Sequence, residues 1–460
     1  MERMNSLDAV FIAAEDSVNH MHIGSVGIFD GPPPPFDEVR ALFASKLPLV
    51  PRYRQRVREA PLSIGRPLWI DDVHFDFDYH VRSTALPVHA GGRALEELVG
   101  RVMSQPLDRN RPLWEMWVIE GLPDDRWAIL SKVHHCMVDG IAGTDLLGVV
   151  MDTEPDPVSL PADTWRPAPE PSLLDLGQVS LRMAWESVGS LASGIAGAAR
   201  HPSRTWEGVH NIAVGLERAV APSRHTAATL TGPIGPHRRW TRTRVTLDEI
   251  TAVRRAFGGT VNDVLLVAVA RGFRELLLSR GEPVEGRSVT TLIPVSMRGS
   301  DARQVLDNRV SAVYARLPVG IDDPIECLTA VRAHMDELKQ SHEIDASAAI
   351  IGIGDVTPPV VAAALARVIV HSQEIVQTVA TNVPGPQIPL YMCGRQMQEA
   401  YPFVPVAGHI RVGVAIWSYC GDLYFGITGD REGAPDIEQV KLGIDRAFEE
   451  LAKAAANAAL

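Results

Sequence analysis

The sequence predicts a mixed α/β (α+β) protein of more than one domain, and three features of the 460-residue chain lead there. Alternating stretches such as VHFDFDYHVR (73–82) read as half-buried strands, because side chains two apart share one face of a strand. Patterns such as ALEELVGRVM (94–103) place their apolar residues at helical spacing. Then EPDPVSLPADTWRPAPEPS puts six prolines between Pro155 and Pro171, a composition that resists helix and sheet alike and acts as a semi-rigid connector. The expected organisation is a first segment over 1–153, a connector with a helical part over 154–230, and a second mixed segment over 231–460.

Each part carries its own signals. In the connector, Leu181, Trp185, Val188, Ala192, Ile195 and Ala199 recur at alternating four- and three-residue steps, which is one face of a helix. No charge falls between Ser187 and Ala199. Such a helix either packs as a connector on a domain or rests on lipid. The second mixed segment begins near RRWTRTRVTLDEI (238–250), and no tandem repeat relates it to the first. The apolar stretch from Ala346 is interrupted by Asp355 and by Pro358-Pro359, so neither half reaches the ~20 residues of a membrane span. A buried helix or a shallow membrane contact fits it better.

Composition narrows the function. The formal charge of -12 argues against a nucleic-acid partner, which normally meets a basic surface. Cys136, Cys327, Cys393 and Cys420 form no CxxC pair, which suits a reducing compartment and argues against structural zinc. The acids within MERMNSLDAVFIAAEDS do not suit a secretory signal, so a cytoplasmic protein is expected.

The chemistry concentrates in KVHHCMVDGIAG (132–143). RWAILSKVHH reads as a strand, with Trp127, Ile129, Ser131, Val133 and His135 on one face and Leu130, Lys132 and His134 on the other. Gly140 then gives the backbone freedom to turn before IAGTDLLGVVM, which reads as a helix. Metal binding is disfavoured, since His135 and Asp139 supply two ligands where three or four are needed. A nucleophilic Cys136 activated by its neighbour is poorly placed, because adjacent strand residues point apart. A neutral imidazole acting as general base has a suitable pKa. Against all three stands the simpler reading of two satisfied histidines at a strand end.

Elsewhere, Asn262 and Asp263 open the apolar run VLLVAVARGF, where helix capping alone would explain both residue types. Pro112-Leu113-Trp114 reads as a buried anchor. Arg238, Arg239, Arg242 and Arg244 could attract phosphates, but a solvated strand face is the simpler reading.

HHxxxDG, here His134 to Gly140, resembles the active-site motif of the bacterial wax ester synthase/diacylglycerol acyltransferase family, whose wider superfamily includes chloramphenicol acetyltransferase and peptide-synthetase condensation domains. The resemblance extends in order through NSLDAVFIAAE, HMHIGSVGIFDG, NRPLWEMWVIEGL, GGTVNDVLLVAVARGF, IPVSMR, NVPGP and WSYCGDLYFGITGDR. It implies two chloramphenicol acetyltransferase-like domains in tandem, with the active-site channel at their junction.

It further implies that His135 takes the proton of a lipid alcohol attacking an acyl-CoA thioester, with His134 in support. Asp139 would anchor the motif loop beside Gly140 through an ion pair, with Arg298 as candidate partner. Asn262, next to Asp263, would orient substrate or meet the oxyanion. The implied substrates are acyl-CoA and diacylglycerol or a fatty alcohol, with no cofactor, and contact with a membrane or lipid droplet becomes plausible.

Departures from the family pattern are Asp307-Asn308-Arg309 for Gly-Asn-Arg, Val412-Gly413 for Leu-Asn, and Cys136 and Thr381 for Ala and Ser. They leave acceptor identity open. A relative acylating another alcohol or amine, or a catalytically weak lipid-binding paralogue, are the alternatives.

Overall fold

The computed structural model describes residues 1–61, 65–87, 93–138, 146–156, 163–183, 185, 228–296, 310–340 and 376–458. Asp139, Gly140 and Arg298 lie outside these, as do residues 187–199, 307–309 and the apolar stretch from Ala346. The first half contributes strands β1 (Glu2–Arg3), β2 (His22–Phe29), β3 (Gln55–Arg58), β4 (Leu68–Asp71), β5 (Val81–Ala85), β6 (Trp114–Glu120) and β7 (Trp127–His134). The second half contributes β8 (Arg238–Thr246), β9 (Val289–Ser296), β10 (Val310–Leu317), β11 (Thr378–Val383), β12 (Tyr391–Met392), β13 (Arg395–Phe403), β14 (Val412–Tyr419) and β15 (Asp422–Asp430). Helices described between them are α1 (Ser6–Ala14), α2 (Phe36–Lys46), α3 (Phe77–His80), α4 (Ala94–Met103), α5 (Leu146–Val150), α6 (173–183), α7 (Leu247–Phe257), α8 (Val261–Ser279), α9 (Pro324–Gln340) and α10 (Glu438–Ala458).

Two six-stranded mixed sheets carry the two cores, in the orders β12-β13-β2-β7-β6-β5 and β10-β9-β11-β14-β15-β8. A small sheet, β1-β4-β3, flanks the first. Strand β7 is buried on both faces along its whole length, because β2 and β6 pair on either side and helices cover the sheet. The helix expected at 94–103 forms over those residues, with Leu95, Leu98, Val99 and Val102 turned inward.

VHFDFDYHVR is a correction. Only its end joins β5, and residues 77–80 form the short helix α3. The reason is local: Asp72 accepts the His74 N–H at 3.0 Å and Asp76 accepts the Asp78 N–H at 3.2 Å. Such side-chain turns outcompete the alternating pattern.

The second half reaches into the first sheet. Strand β13 pairs antiparallel with β2, from Phe403 opposite Gly24 to Met397 opposite Phe29. Behind it β15 passes so closely that a Cβ on Gly426 would lie 1.6 Å from the Pro402 carbonyl oxygen. The β8 arginines join the halves, which corrects the solvated reading for two of them. Arg242 donates to Glu96 of α4 at 3.0 Å and to Glu399 of β13 at 3.2 Å, with its guanidinium 4.7 Å from the Tyr401 ring centre. Arg238 is buried and faces Asp430 at 3.7 Å. Arg244 keeps the expected exposed character.

Gly426→Ala is expected to cost at least about 3 kcal/mol, the upper end of overpacking penalties, since the obstructing atom is backbone. Thermal unfolding measures it, and a variant as stable as the parent would contradict the close approach.

Candidate active site

The end of β7 is fixed from both sides by backbone bonds. His134 N–H donates to the Leu113 carbonyl at 2.9 Å, and His135 N–H donates to the Met21 carbonyl at 2.8 Å. Leu113 and Trp114 are wholly buried, and the Trp114 indole N–H donates to the Tyr53 carbonyl at 2.8 Å. The Pro-Leu-Trp segment is thus the rigid backing of the histidine pair.

Past His134 the chain leaves the strand for a 3-10 turn over His135–Met137. His134 caps that turn, its Nδ1 accepting the Cys136 N–H at 3.1 Å. This acceptor role puts the imidazole proton on Nε2, which lies 3.6 Å from a Glu15 carboxylate oxygen. The distance is too long for a full hydrogen bond and leaves an electrostatic contact. Burial pushes the His134 pKa down to about 3, with Arg109 and His135 acting in the same direction. His134 is therefore neutral.

His135 begins the turn, so its ring is placed by the turn and not by strand alternation. Its ring stacks on Phe11 of α1, with centres 4.1 Å apart and planes 23° from parallel. Nδ1 is enclosed and without a hydrogen-bond partner. Burial lowers its pKa while its own carbonyl acts in the opposite direction, so the ring is neutral near pH 7. A neutral imidazole held in place is the form in which a general base works. Cys136 is not a nucleophile of this kind, because burial drives its thiol pKa well up.

Asp263 is engaged in a capping box at the start of α8. It accepts the Thr260 N–H at 2.7 Å, while Thr260 Oγ1 accepts the Asp263 N–H at 3.2 Å. Asn262 instead accepts from Asn382 Nδ2 at 3.4 Å, a long contact that ties α8 to the end of β11. Asn382 was missed as a site neighbour. It lies in NVPGP, one of the segments that carry the family resemblance.

Other buried histidines surround the strand end. His22 lies opposite His134 in the β2–β7 ladder, and its ring stacks with that of His20 at 5.4 Å between centres. Lys132, fully buried, donates to the Val102 and Gln105 carbonyls at 3.0 and 2.5 Å, and burial lowers its pKa to about 8. A polar cleft of about 450 Å³ lies at the opposite end of β2, lined by Asp30, Arg126, Glu399 and Asp422 among others. Its lining includes Arg244 and Cys420 but none of the HHxxxDG residues.

Comparison with known proteins places this geometry. Residues 4–265 match the wax ester synthase/diacylglycerol acyltransferase catalytic domain, and residues 306–452 match the C-terminal domain of the same group. The chain belongs to the wax ester synthase/diacylglycerol acyltransferase family. A Mycobacterium tuberculosis protein named as a diacylglycerol O-acyltransferase is 37% identical over 456 residues, covering 98% of this chain and 96% of that one. A second from that organism is 31% identical, covering 97% and 90%. The wax ester synthase/diacylglycerol acyltransferase of Marinobacter aquaeolei superposes with a TM-score of 0.71 at 25% identity, over 99% of this chain and 100% of that one. The first condensation domain of the calcium-dependent antibiotic synthetase shares the fold, with a TM-score of 0.58 at 15% identity, covering 98% and 96%.

In this acyltransferase the neutral histidines make acid stability predictable. Burial lowers the pKa of His20 to about 4, of His80 to about 4 and of His134 to about 3. Unfolded imidazoles titrate near 6.5, so the unfolded chain binds more protons between that value and the folded pKa. Stability is whole above pH 6.5 and falls as pH drops toward 4. His80, whose Nδ1 bonds the Trp114 carbonyl at 2.8 Å, provides the test. His80→Phe should reduce the slope of unfolding free energy against pH in that window by about 1.4 kcal/mol per unit; an unchanged slope would contradict its neutral burial.

Proposed function

We propose that the protein is an acyl-CoA-dependent O-acyltransferase that esterifies diacylglycerol to triacylglycerol, with long-chain alcohols giving wax esters as a second product. The observation that carries the reading is His135, a neutral imidazole with its ring held against Phe11 and Nδ1 enclosed, and the reading assigns the other nitrogen, Nε2, to the substrate. Nε2 takes the hydroxyl proton as the alcohol oxygen attacks the thioester carbonyl. The tetrahedral intermediate then expels the CoA thiolate, which recovers the proton from the imidazolium. Both substrates bind together, so no acyl-enzyme and no cofactor enters, and proximity supplies much of the rate. Asn262 is assigned to orienting substrate or meeting the developing oxyanion, and Asp139, Gly140 and Arg298 to the framework of the motif loop. Diacylglycerol as acceptor rests on the names of the 37% and 31% identical relatives.

We place the reaction in the cytoplasm, at the surface of the inner membrane or of lipid droplets. Helix α6 supports this. It packs through Leu176 and Met183 against Leu68, while Leu173, Leu174, Leu181 and Trp185 stand 75, 77, 70 and 81% exposed. Leu181 and Trp185, the first two residues of the apolar stripe noted in the sequence, are both exposed. Leucine and tryptophan on one open helix face suit partial burial at a lipid surface. Among the described residues no helix is long and apolar enough to cross a membrane.

Purified protein given long-chain acyl-CoA with diacylglycerol should release CoA faster than with water alone, and thin-layer separation should show triacylglycerol. His135→Ala should lower kcat by about 10²- to 10⁴-fold. Selective turnover of a different alcohol or an amine would favour the alternative acceptor. Loss of neither acceptor's turnover in His135→Ala would end the reading. The acid limb of kcat/KM should bend below pH 6.5, since activity is lost only as His135 becomes protonated and burial lowers its pKa. Trp185→Ser with Leu181→Ser should reduce co-sedimentation with anionic vesicles while leaving turnover of detergent-dispersed diacylglycerol unchanged; undiminished vesicle binding would remove α6 from the lipid contact.

A further inference from the structure

The loop between α1 and β2, residues 15–21, touches His134 and His135 directly and borders the helix that carries Phe11. Glu15 ends α1 with its carboxylate buried and divided between three neighbours. One oxygen accepts from Arg109 Nε at 3.1 Å and Nη2 at 3.0 Å. The other accepts the Met21 N–H at 3.2 Å and lies 3.6 Å from His134 Nε2. The carbonyl of the same Met21 receives the His135 N–H at 2.8 Å. Arg109 in turn donates to the Ile12 carbonyl at 2.8 Å and to the Glu15 carbonyl at 3.4 Å, closing the C-terminal end of α1. That helix carries Phe11, the ring on which His135 rests.

The other side of the loop is held by the second half. Asp16 folds the loop by accepting the Val18 and Asn19 N–H groups, each at 2.8 Å. Val18 then presents its carbonyl to Arg238 Nη2 at 2.6 Å, and Asn19 its side-chain oxygen to the Gly408 N–H at 2.7 Å. The loop therefore spans from the strand end with the histidines to the neighbouring sheet.

We propose that Glu15, held by Arg109, is a positioning residue for His135. It fixes the base through the Met21 peptide, through the α1 end that presents Phe11, and through contact with His134. The inference rests on His135 being the base. A helix C-terminus carries partial negative charge on its open carbonyls, so a buried carboxylate there needs a reason. Arg109 supplies it electrostatically by serving the carboxylate and the carbonyls with one guanidinium. The gain is a base held at three points, and displacement by about 1 Å at a reacting centre can cost about 100-fold in rate.

The test is a double-mutant cycle on the full chain, with acyl-CoA and detergent-dispersed diacylglycerol as substrates and CoA release as the readout. Glu15→Gln keeps an oxygen for the Met21 N–H and gives up the charge toward Arg109. It should lower kcat about 10- to 100-fold, with both KM values within about twofold and Tm nearly unchanged. In the His135→Ala background the same substitution should cost nothing, because its effect passes through the base. Phe11→Leu should behave alike, whereas Phe11→Tyr, which keeps the stacked ring, should restore most of the rate. Glu15→Gln with parental kcat, or with an undiminished loss in the His135→Ala background, overturns the proposal while leaving His135 as base. His135→Ala with parental activity overturns the underlying reading instead.

Discussion

The pairing of β13 with β2 is the constraint on which the arrangement of the molecule depends. Without β13 the first sheet would end at β2 in a row of unpaired backbone groups, an edge that proteins normally cover. With it, one strand of the second half is laid beside the strand that carries His22, and the first core gains Met397, Tyr401 and Phe403. Tyr419 and Tyr424, from the second sheet, follow it in. Their hydroxyls donate to the Met397 and Gln398 carbonyls, both at 2.9 Å. The two halves are thus fastened by shared backbone pairing as well as by side chains. Asp152, just before the proline-rich connector, adds a third fastening: it pairs with Tyr391 through two backbone bonds and with Lys46 at 2.6 Å. Both partners of that ion pair are buried, so removing either would leave an uncompensated charge.

Much of this was legible locally and little of it at long range. Helix α4 follows from periodicity, because it buries a stripe at helical spacing, whereas β7 and α8 show as apolar segments buried nearly all round. The Pro-Leu-Trp anchor follows from residue type. The β13 crossing does not, since a strand's partner is set by which edge is open, and nothing within RQMQEAYPF names that edge. The arginines of β8 read as solvated for the same reason: the carboxylates that meet Arg242 come from residues 96 and 399, far away in sequence. At the motif, alternation correctly separates His134 from its neighbour but assigns His135 to a strand face. The structure turns the chain one residue sooner, because His134 uses its own ring to cap the turn. Local side-chain capping is a competitor that period counting does not weigh.

The electrostatics around the strand end explain why so many imidazoles can be buried there. Lys132 and Arg238 make their hydrogen bonds to backbone carbonyls, which disperse charge without neutralising it, while Arg109 divides its guanidinium between the Glu15 carboxylate and carbonyls. Each therefore opposes a second positive charge nearby. Lys132 lowers the pKa of His20 and His22 in addition to their burial, Arg238 that of His20, and Arg109 that of His134. The histidines remain neutral chiefly because burial penalises their charged form, and the nearby cations act in the same direction.

This environment bears directly on the proposed chemistry. A general base in a transfer reaction must release the proton it has taken, here to a departing thiolate. An imidazolium at His135 would lie beside a neutral His134, with burial disfavouring its charge. It would therefore be a stronger acid than imidazolium in water, returning the proton readily as the thioester bond breaks. The cost falls on the first step, where the same environment weakens the base. A rigid ring offsets that cost, since a base already aligned loses no entropy in reaching the hydroxyl. The stacking of Phe11 on His135 and the burial that lowers its pKa thus act together: one supplies the alignment that the other makes necessary.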